Sequence, residues 1–194
     1  MKKKKCYIYL FRHGQTHFND KHIFTGWKES SLTLEGKKEA RVLAEKLRKK
    51  KIGFGFMTHL NRSEETLNAV LQFHPECRLR LIDDRMIERS YGTLEGMHHA
   101  AIIKKYGQKQ FERWHRDYVG RPPGGESFAD VEKRVKNFIA DLKILLQQEK
   151  VNIAISAHGN SIRIFRKIME KASVTTATKW VIPYTKVFVY AVRV

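Results

Sequence analysis

Two histidines of this chain stand in matching local settings. Arg12-His13-Gly14-Gln15-Thr16 and Ala157-His158-Gly159-Asn160-Ser161 each place a histidine directly before a glycine. A glycine there lets the backbone approach a ligand closely and frees N–H groups to face it. Arg12 and the segment Asn61-Arg62-Ser63 add guanidinium groups. Their planar fork matches the oxygens of a phosphate. Taken singly, each piece has a bland reading. A histidine near a strand end is usually a satisfied polar residue, and an arginine at a helix start usually faces water. Only their joint placement points to a bound phosphate.

That placement depends on the elements around them. Stretches 6–11, 54–58, 151–156 and 186–192 are rich in β-branched and aromatic residues and read as buried strands, with 78–82 as a weaker fifth. Helical patterns fill the intervals. Gly36, Ala40, Leu43 and Leu47 share a face over 33–50, with Thr33 as N-cap. A second helix over 61–73 carries Glu64 and Glu65 in its first turn. A third, over 127–146, aligns Phe128, Val131, Val135, Phe138, Leu142 and Leu145 after a Pro122-Pro123-Gly124-Gly125 break. A fourth is expected over 161–171. The alternation predicts one domain over 1–194, a three-layer α/β/α sandwich with a mainly parallel central sheet. In such sheets ligands bind beyond the carboxyl ends of the strands. Both His-Gly steps and Arg62 follow strands, so all three fall on that edge.

Composition narrows the classes. The 194 residues include 38 Lys plus Arg against 20 Asp plus Glu, a formal net charge of +18, and 42% are hydrophobic. Disorder is not expected of that composition. No stretch approaches the roughly 20 apolar residues of a membrane span. The lysine run at 2–5 followed by 6–11 imitates a signal peptide, but the apolar part falls short of the roughly 7–15 residues required. Two cysteines, Cys6 and Cys77, exclude a disulfide framework and a cysteine zinc site. Nine histidines occur without a metal-binding spacing, and the adjacent His98 and His99 point apart on a helix or strand. The expectation is a cytoplasmic protein with an anionic partner and no metal. A basic nucleic-acid-binding protein is the remote alternative, against which stands the lack of any recognised module.

Several blocks together resemble the histidine phosphatase superfamily, in its cofactor-dependent phosphoglycerate mutase-like branch. The blocks are Arg12-His13-Gly14-Gln15-Thr16, then Phe24-Thr25-Gly26-Trp27 with Leu32-Thr33-Leu34-Glu35-Gly36, then the stretch 58–66 containing Arg62. Glu88-Arg89-Ser90-Tyr91-Gly92-Thr93-Leu94-Glu95-Gly96 and Ala157-His158-Gly159-Asn160-Ser161-Ile162-Arg163 follow in the family's order. The resemblance implies a phosphohistidine enzyme with His13 as nucleophile. Arg12, Arg62 and His158 would clamp the transferred group, with Asn19 and the Gly159 N–H as further contacts. Glu88 would be the general acid, its proton held by burial beside a phosphate dianion. Without the surrounding motif, Glu88 reads as a surface carboxylate paired with Arg85 or Arg89.

The same resemblance bears on the reaction. Thr25 and Gly26 match positions that contact the sugar-acid substrate in the mutases, as do Arg89, Tyr91 and Arg116, with Asn160 beside them. These favour interconversion of 3- and 2-phosphoglycerate, primed by 2,3-bisphosphoglycerate, in a possible homodimer by likeness to the mutases. Two positions pull toward a broad-specificity phosphatase of small monoesters. Where the mutases carry a substrate lysine this chain has His99, and where they carry a paired arginine it has His115. The short stretch 118–127 and an ending directly after the last strand point the same way, since a site open to water favours hydrolysis.

Overall fold

The computed structural model describes residues 4–194, so the start of the 2–5 lysine run lies outside the described residues. Five strands form one sheet: β1 (Lys5–Arg12), β2 (Phe54–Met57), β3 (Leu79–Ile82), β4 (Ile153–Ala157) and β5 (Val187–Arg193), in the order β3-β2-β4-β1-β5. β1, β4, β2 and β3 run parallel, and β5 pairs antiparallel with β1 at the edge.

Side chains alternate across the strands and so build two cores. Ile8 and Leu10 face one layer, where α6 (Phe128–Glu149) and α7 (Gly159–Glu170) contribute Phe128, Val135, Phe138, Ile162 and Phe165. Tyr9 and Phe11 face the other, against Leu43 and Leu47 of α2 (Leu34–Leu47), which follows the single-turn α1 (His17–Asp20), and Leu67 and Val70 of α3 (Asn61–Leu71). The expected three-layer sandwich is therefore present. Among the described residues, no helix is long and apolar enough to cross a membrane.

The helix starts follow from local chemistry. Thr33 Oγ1 accepts from the Gly36 N–H at 2.9 Å, and Ser127 forms a reciprocal capping box with Asp130. Most boundaries shift by one to three residues from the sequence expectation, and one of these shifts bears on the site. α7 begins at Gly159 rather than 161, with His158 in the N-cap position. The His-Gly step is thus the helix start itself. The segment between β3 and α6 holds elements that sequence pattern did not reveal: α4 (His99–Tyr106) and α5 (Gln108–Arg116), packed on a third cluster of Phe24, Tyr91, Leu94, Ile102, Phe111 and Trp114.

Gly14 and Gly36 explain why two distant motifs both carry glycine. A Cβ on Gly14 would lie 2.2 Å from the Gly36 carbonyl oxygen, and one on Gly36 would lie 2.1 Å from the Gln15 carbonyl oxygen. The first turn of α2 thus presses on the loop after β1, backbone to backbone. Gly14→Ala forces the two apart and is expected to cost on the order of 1–3 kcal/mol. In a domain of this size that lowers the melting temperature by roughly 2–10 °C. Thermal denaturation followed by circular dichroism checks it, and an unchanged melting temperature contradicts the close approach.

Candidate active site

β1 and β4 pair in a register that sets Arg12 opposite Ala157, so the next residues, His13 and His158, leave the sheet side by side. The His13 N–H donates to the Ala157 carbonyl at 3.0 Å. Their rings lie 4.9 Å apart, centre to centre, and both residues are buried. His13 Nδ1 is 2.7 Å from the Gly14 carbonyl. A carbonyl only accepts, so Nδ1 carries the proton and Nε2 keeps its lone pair. Burial, then the Arg62 and Arg12 charges, hold His13 well below the usual imidazole value. His158 is lowered likewise, by burial and then by Arg62 and His13. Both rings are neutral near pH 7. His158 Nε2 sits 2.9 Å from Thr58 Oγ1, and its buried Nδ1 has no protein partner.

The cations surround these rings. Arg62, in the first turn of α3, donates to the Lys28 and Gly26 carbonyls at 2.9 and 2.8 Å. Burial lowers its pKa to about 10, which leaves it charged. Arg12 donates to the Ile182 carbonyl and lies 4.1 Å over the Tyr184 ring. Asn19 Oδ1 accepts from the Thr16 N–H, which fixes the amide and leaves Nδ2 as a donor. Glu88 is only 9% exposed, and its Oε1 accepts from the Arg89 and Asn160 N–H groups at 2.8 and 3.0 Å. Glu88 Oε2 lies 3.5 Å from where a Gly159 Cβ would be. The surface-pair alternative for Glu88 does not hold, because Arg85 bonds Asp83 and Asp141 instead.

One cavity of about 350 Å³ gathers these groups at the carboxyl end of the sheet. Arg12, His13, Asn19, Thr25, Gly26, Arg62, Glu88, Tyr91, His99, His115, Arg116, Gly159 and Asn160 all line it. Two expected residues stand outside that lining. His158 packs behind it against His13. Arg89 is fully buried, its guanidinium donating to the Trp114 and His115 carbonyls at the end of α5 and stacking on Tyr91 and Phe128. A cation there satisfies a helix C-terminus, so Arg89 supports the cavity wall and is not placed to touch a ligand.

The outer half of the cavity is less cationic than its residue types suggest. His99, His115 and Phe24 cluster with ring centres 4.4–5.4 Å apart. Burial, then His22, lowers His99 to about 4. Burial, then Arg116, lowers His115 to about 2. The remaining cations there are Arg116 and Arg163. Arg163 donates to Asn160 Oδ1 and the Trp180 carbonyl, and burial, then Arg116, lowers it to about 9, which leaves it charged near neutrality. Arg163, His22 and Tyr184 line the cavity and were not singled out from sequence. Arg163 was legible, five residues after His158 on the same helix; Tyr184 arrives from a loop that carries no motif.

Among the described residues, eight buried side-chain polar atoms lack a protein partner; three of them, on Arg12, Thr25 and Arg62, belong to residues that line the cavity, and a fourth, on His158, lies directly behind it. Unpaired buried donors are costly, and their concentration at one place marks a site built for a polar ligand. No group of acidic, histidine and cysteine side chains suited to a metal occurs among the described residues. A neutral imidazole with a free Nε2, ringed by guanidinium groups, defines phosphoryl chemistry of the mutase or phosphatase kind.

Sequence comparison agrees. The profile of the histidine phosphatase superfamily (branch 1) matches residues 8–193. The chain belongs to that superfamily and is an enzyme of the mutase/phosphatase type. It is 33% identical over 178 residues to the 2,3-bisphosphoglycerate-dependent phosphoglycerate mutase 2 of Gloeobacter violaceus, covering 91% of this chain and 81% of that one. Against the phosphoglycerate mutase of Schizosaccharomyces pombe it is 37% identical over 161 residues, covering 80% and 75%. Solved structures share the fold. The alpha-ribazole phosphatase from Shigella flexneri superposes with a TM-score of 0.81 at 21% identity, over 96% of this chain and 94% of that one. Phosphoglycerate mutase from Bacillus anthracis gives 0.79 at 19%, over 98% and 89%.

The four lowered histidines make stability fall with acid. Their folded pKa values lie below the ordinary 6.5, so below that pH the unfolded chain binds protons that the folded chain refuses. The free energy of unfolding should decline as pH drops from 6.5 to 5. His115→Gln should flatten that slope by one proton, roughly 1.4 kcal/mol per pH unit at most. Urea denaturation at stepped pH measures both. A stability that holds or rises over that interval rejects the neutral assignment.

Proposed function

We propose that this enzyme moves a phosphoryl group through a phosphohistidine on His13, and that its substrate is 3- or 2-phosphoglycerate, which it interconverts. The observation that carries the chemistry is the Nδ1–H of His13 held by the Gly14 carbonyl, which aims the basic Nε2 at the cavity. In the transfer, Nε2 attacks phosphorus and the bond to the ester oxygen breaks. The equatorial oxygens carry the charge of the transition state. Arg12, Arg62, Asn19 Nδ2 and the start of α7 at Gly159 meet them. With the Thr58 hydroxyl donating to Nε2, His158 bears its proton on Nδ1 and adds another donor.

Glu88 gives its proton to the departing oxygen. Its Oε1 is occupied by two N–H donors, so the transferable proton sits on Oε2. Thr25 and Gly26 hold the glycerate, and Arg116 with Arg163 supplies charge for its carboxylate. 2,3-Bisphosphoglycerate would supply the priming phosphoryl group, with Arg12 and Arg62 to receive its phosphate. The relatives named as mutases at 33–37% identity support this substrate.

Hydrolysis of small monoesters is the second reading, and His99 with His115 favours it. Two neutral rings stand where a carboxylate profits from cations.

Labelled substrate should leave an acid-labile, base-stable label on the wild type and none on His13→Ala; label on the variant removes His13 as nucleophile. Fast interconversion of 3- and 2-phosphoglycerate with slow phosphate release makes the enzyme a mutase, and the reverse makes it a phosphatase. Restoring charge with His99→Lys and His115→Arg together should lower the KM for phosphoglycerate by roughly tenfold, the scale of one charged hydrogen bond. The KM for phenyl phosphate, which has no carboxylate, is the control. An equal change in both denies these positions any role in reading the carboxylate.

A further inference from the structure

Glu88 lies in a stretch without helix or strand, between the single 3-10 turns Asp84–Met86 and Gly92–Leu94. Such a segment has no ladder of its own to fix a catalytic carboxyl, yet the proposed proton transfer needs Oε2 placed within a fraction of an ångström. Trp27 Nε1 donates to the Glu88 carbonyl at 2.7 Å, and the side chain that spans several residues of this backbone comes from α6. Arg134 Nη1 donates to the carbonyls of Arg85 and Ile87, each at 2.8 Å. Its Nη2 donates to the Glu88 carbonyl at 3.1 Å. The other edge of the guanidinium is held by Glu126, with Nε and Nη2 each 3.0 Å from a carboxylate oxygen. A guanidinium has five N–H donors, and these five acceptors use them all. Glu126 closes the circuit, since its Oε2 also accepts from the Ser90 N–H at 3.0 Å. Carbonyls before and at Glu88 and an amide after it are thereby tied to one planar ion pair.

We propose that Arg134, with Glu126 as its counter-ion, is the positioning residue that holds Glu88 for proton transfer. Neither Arg134 nor Glu126 lines the cavity; the pair reaches it only through the backbone of Glu88. Its two charges offset each other, so its effect on Glu88 is geometric. Lysine keeps the charge but cannot span three carbonyls and a carboxylate. The proposal rests on Glu88 acting as the general acid, and the test separates the two ideas.

The rate of phosphohistidine formation is measured in single turnovers, from nitrophenyl phosphate and from an alkyl phosphate. The first leaving group departs with little help from an acid, and the second needs one. For Arg134→Lys, formation from the alkyl ester should fall on the order of 100-fold, and from nitrophenyl phosphate by less than about threefold. In a Glu88→Gln background, adding Arg134→Lys should bring no further loss that depends on the leaving group. Equal losses on both esters, or a fresh selective loss in the Glu88→Gln background, overturns the positioning role. If Glu88→Gln itself loses equally on both esters, the acid assignment fails and the positioning role fails with it. Should circular dichroism show Arg134→Lys unfolded, Glu126→Gln takes its place, with the same selectivity expected at roughly tenfold.

Discussion

The site depends on the parallel pairing of β1 with β4. Register is strict where both sheet faces are buried, because a slip of one residue turns every side chain to the wrong core. Ile8 and Leu10 belong to the α6–α7 side, and Tyr9 and Phe11 to the α2–α3 side. The apolar alternation therefore fixes which residues emerge together at the end. Arg12 stands opposite Ala157, so His13 and His158 emerge adjacent. From that edge the β1 connection and the β4 connection leave toward opposite sides of the sheet, which opens the crevice between them.

Once two imidazoles are buried there, electrostatics decides their state. Protonated rings beside Arg12 and Arg62 would set like charges together out of water. Desolvation and those guanidinium groups both favour the neutral form. The arginines stay charged because each is tied to backbone carbonyls and their intrinsic pKa is high. Burial, reinforced by these cations, thus keeps His13 neutral while positive charge remains around it. The pocket accounts for Arg12, Arg62, Arg116 and Arg163, a small part of the +18 formal charge.

Arg12, His13, Arg62, His158 and Gly159 are legible in the sequence because each sits within a residue or two of a strand end or at a helix start, whereas Glu88 lies in a segment with neither. Short contiguous motifs carry such positions intact. The helix start at Gly159 was placed two residues late, since His158 as N-cap has no preference in helix-capping statistics. The outer wall was harder to read. α4 and α5 are short, and their apolar residues face a small cluster rather than the sheet. Arg89 shows the limit of reading a residue by type. It was expected to bind substrate, yet it is bound to carbonyls of α5, and only the fold reveals that those carbonyls lie within its reach. Arg134 is the opposite case, an arginine on an amphipathic helix that pattern alone assigns to solvent.

The same physics has opposite consequences in the two halves of the cavity. Burial strips the proton from His13 and leaves its Nε2 lone pair free, as the proposed nucleophile needs. Burial also strips the proton from His99 and His115, and there it removes positive charge from the wall that faces the rest of the substrate. Arginine or lysine at those two positions would resist the loss, because their intrinsic values lie far above neutrality. Histidine does not, so the outer wall relies on Arg116 and Arg163 alone. The wall therefore offers charge from those two and ring surfaces from His99, His115 and Phe24. Recognition of the phosphate and recognition of the remaining group are therefore separable in this enzyme. The first is set by the sheet edge, and the second by α4, α5 and α7, which the sheet register does not control.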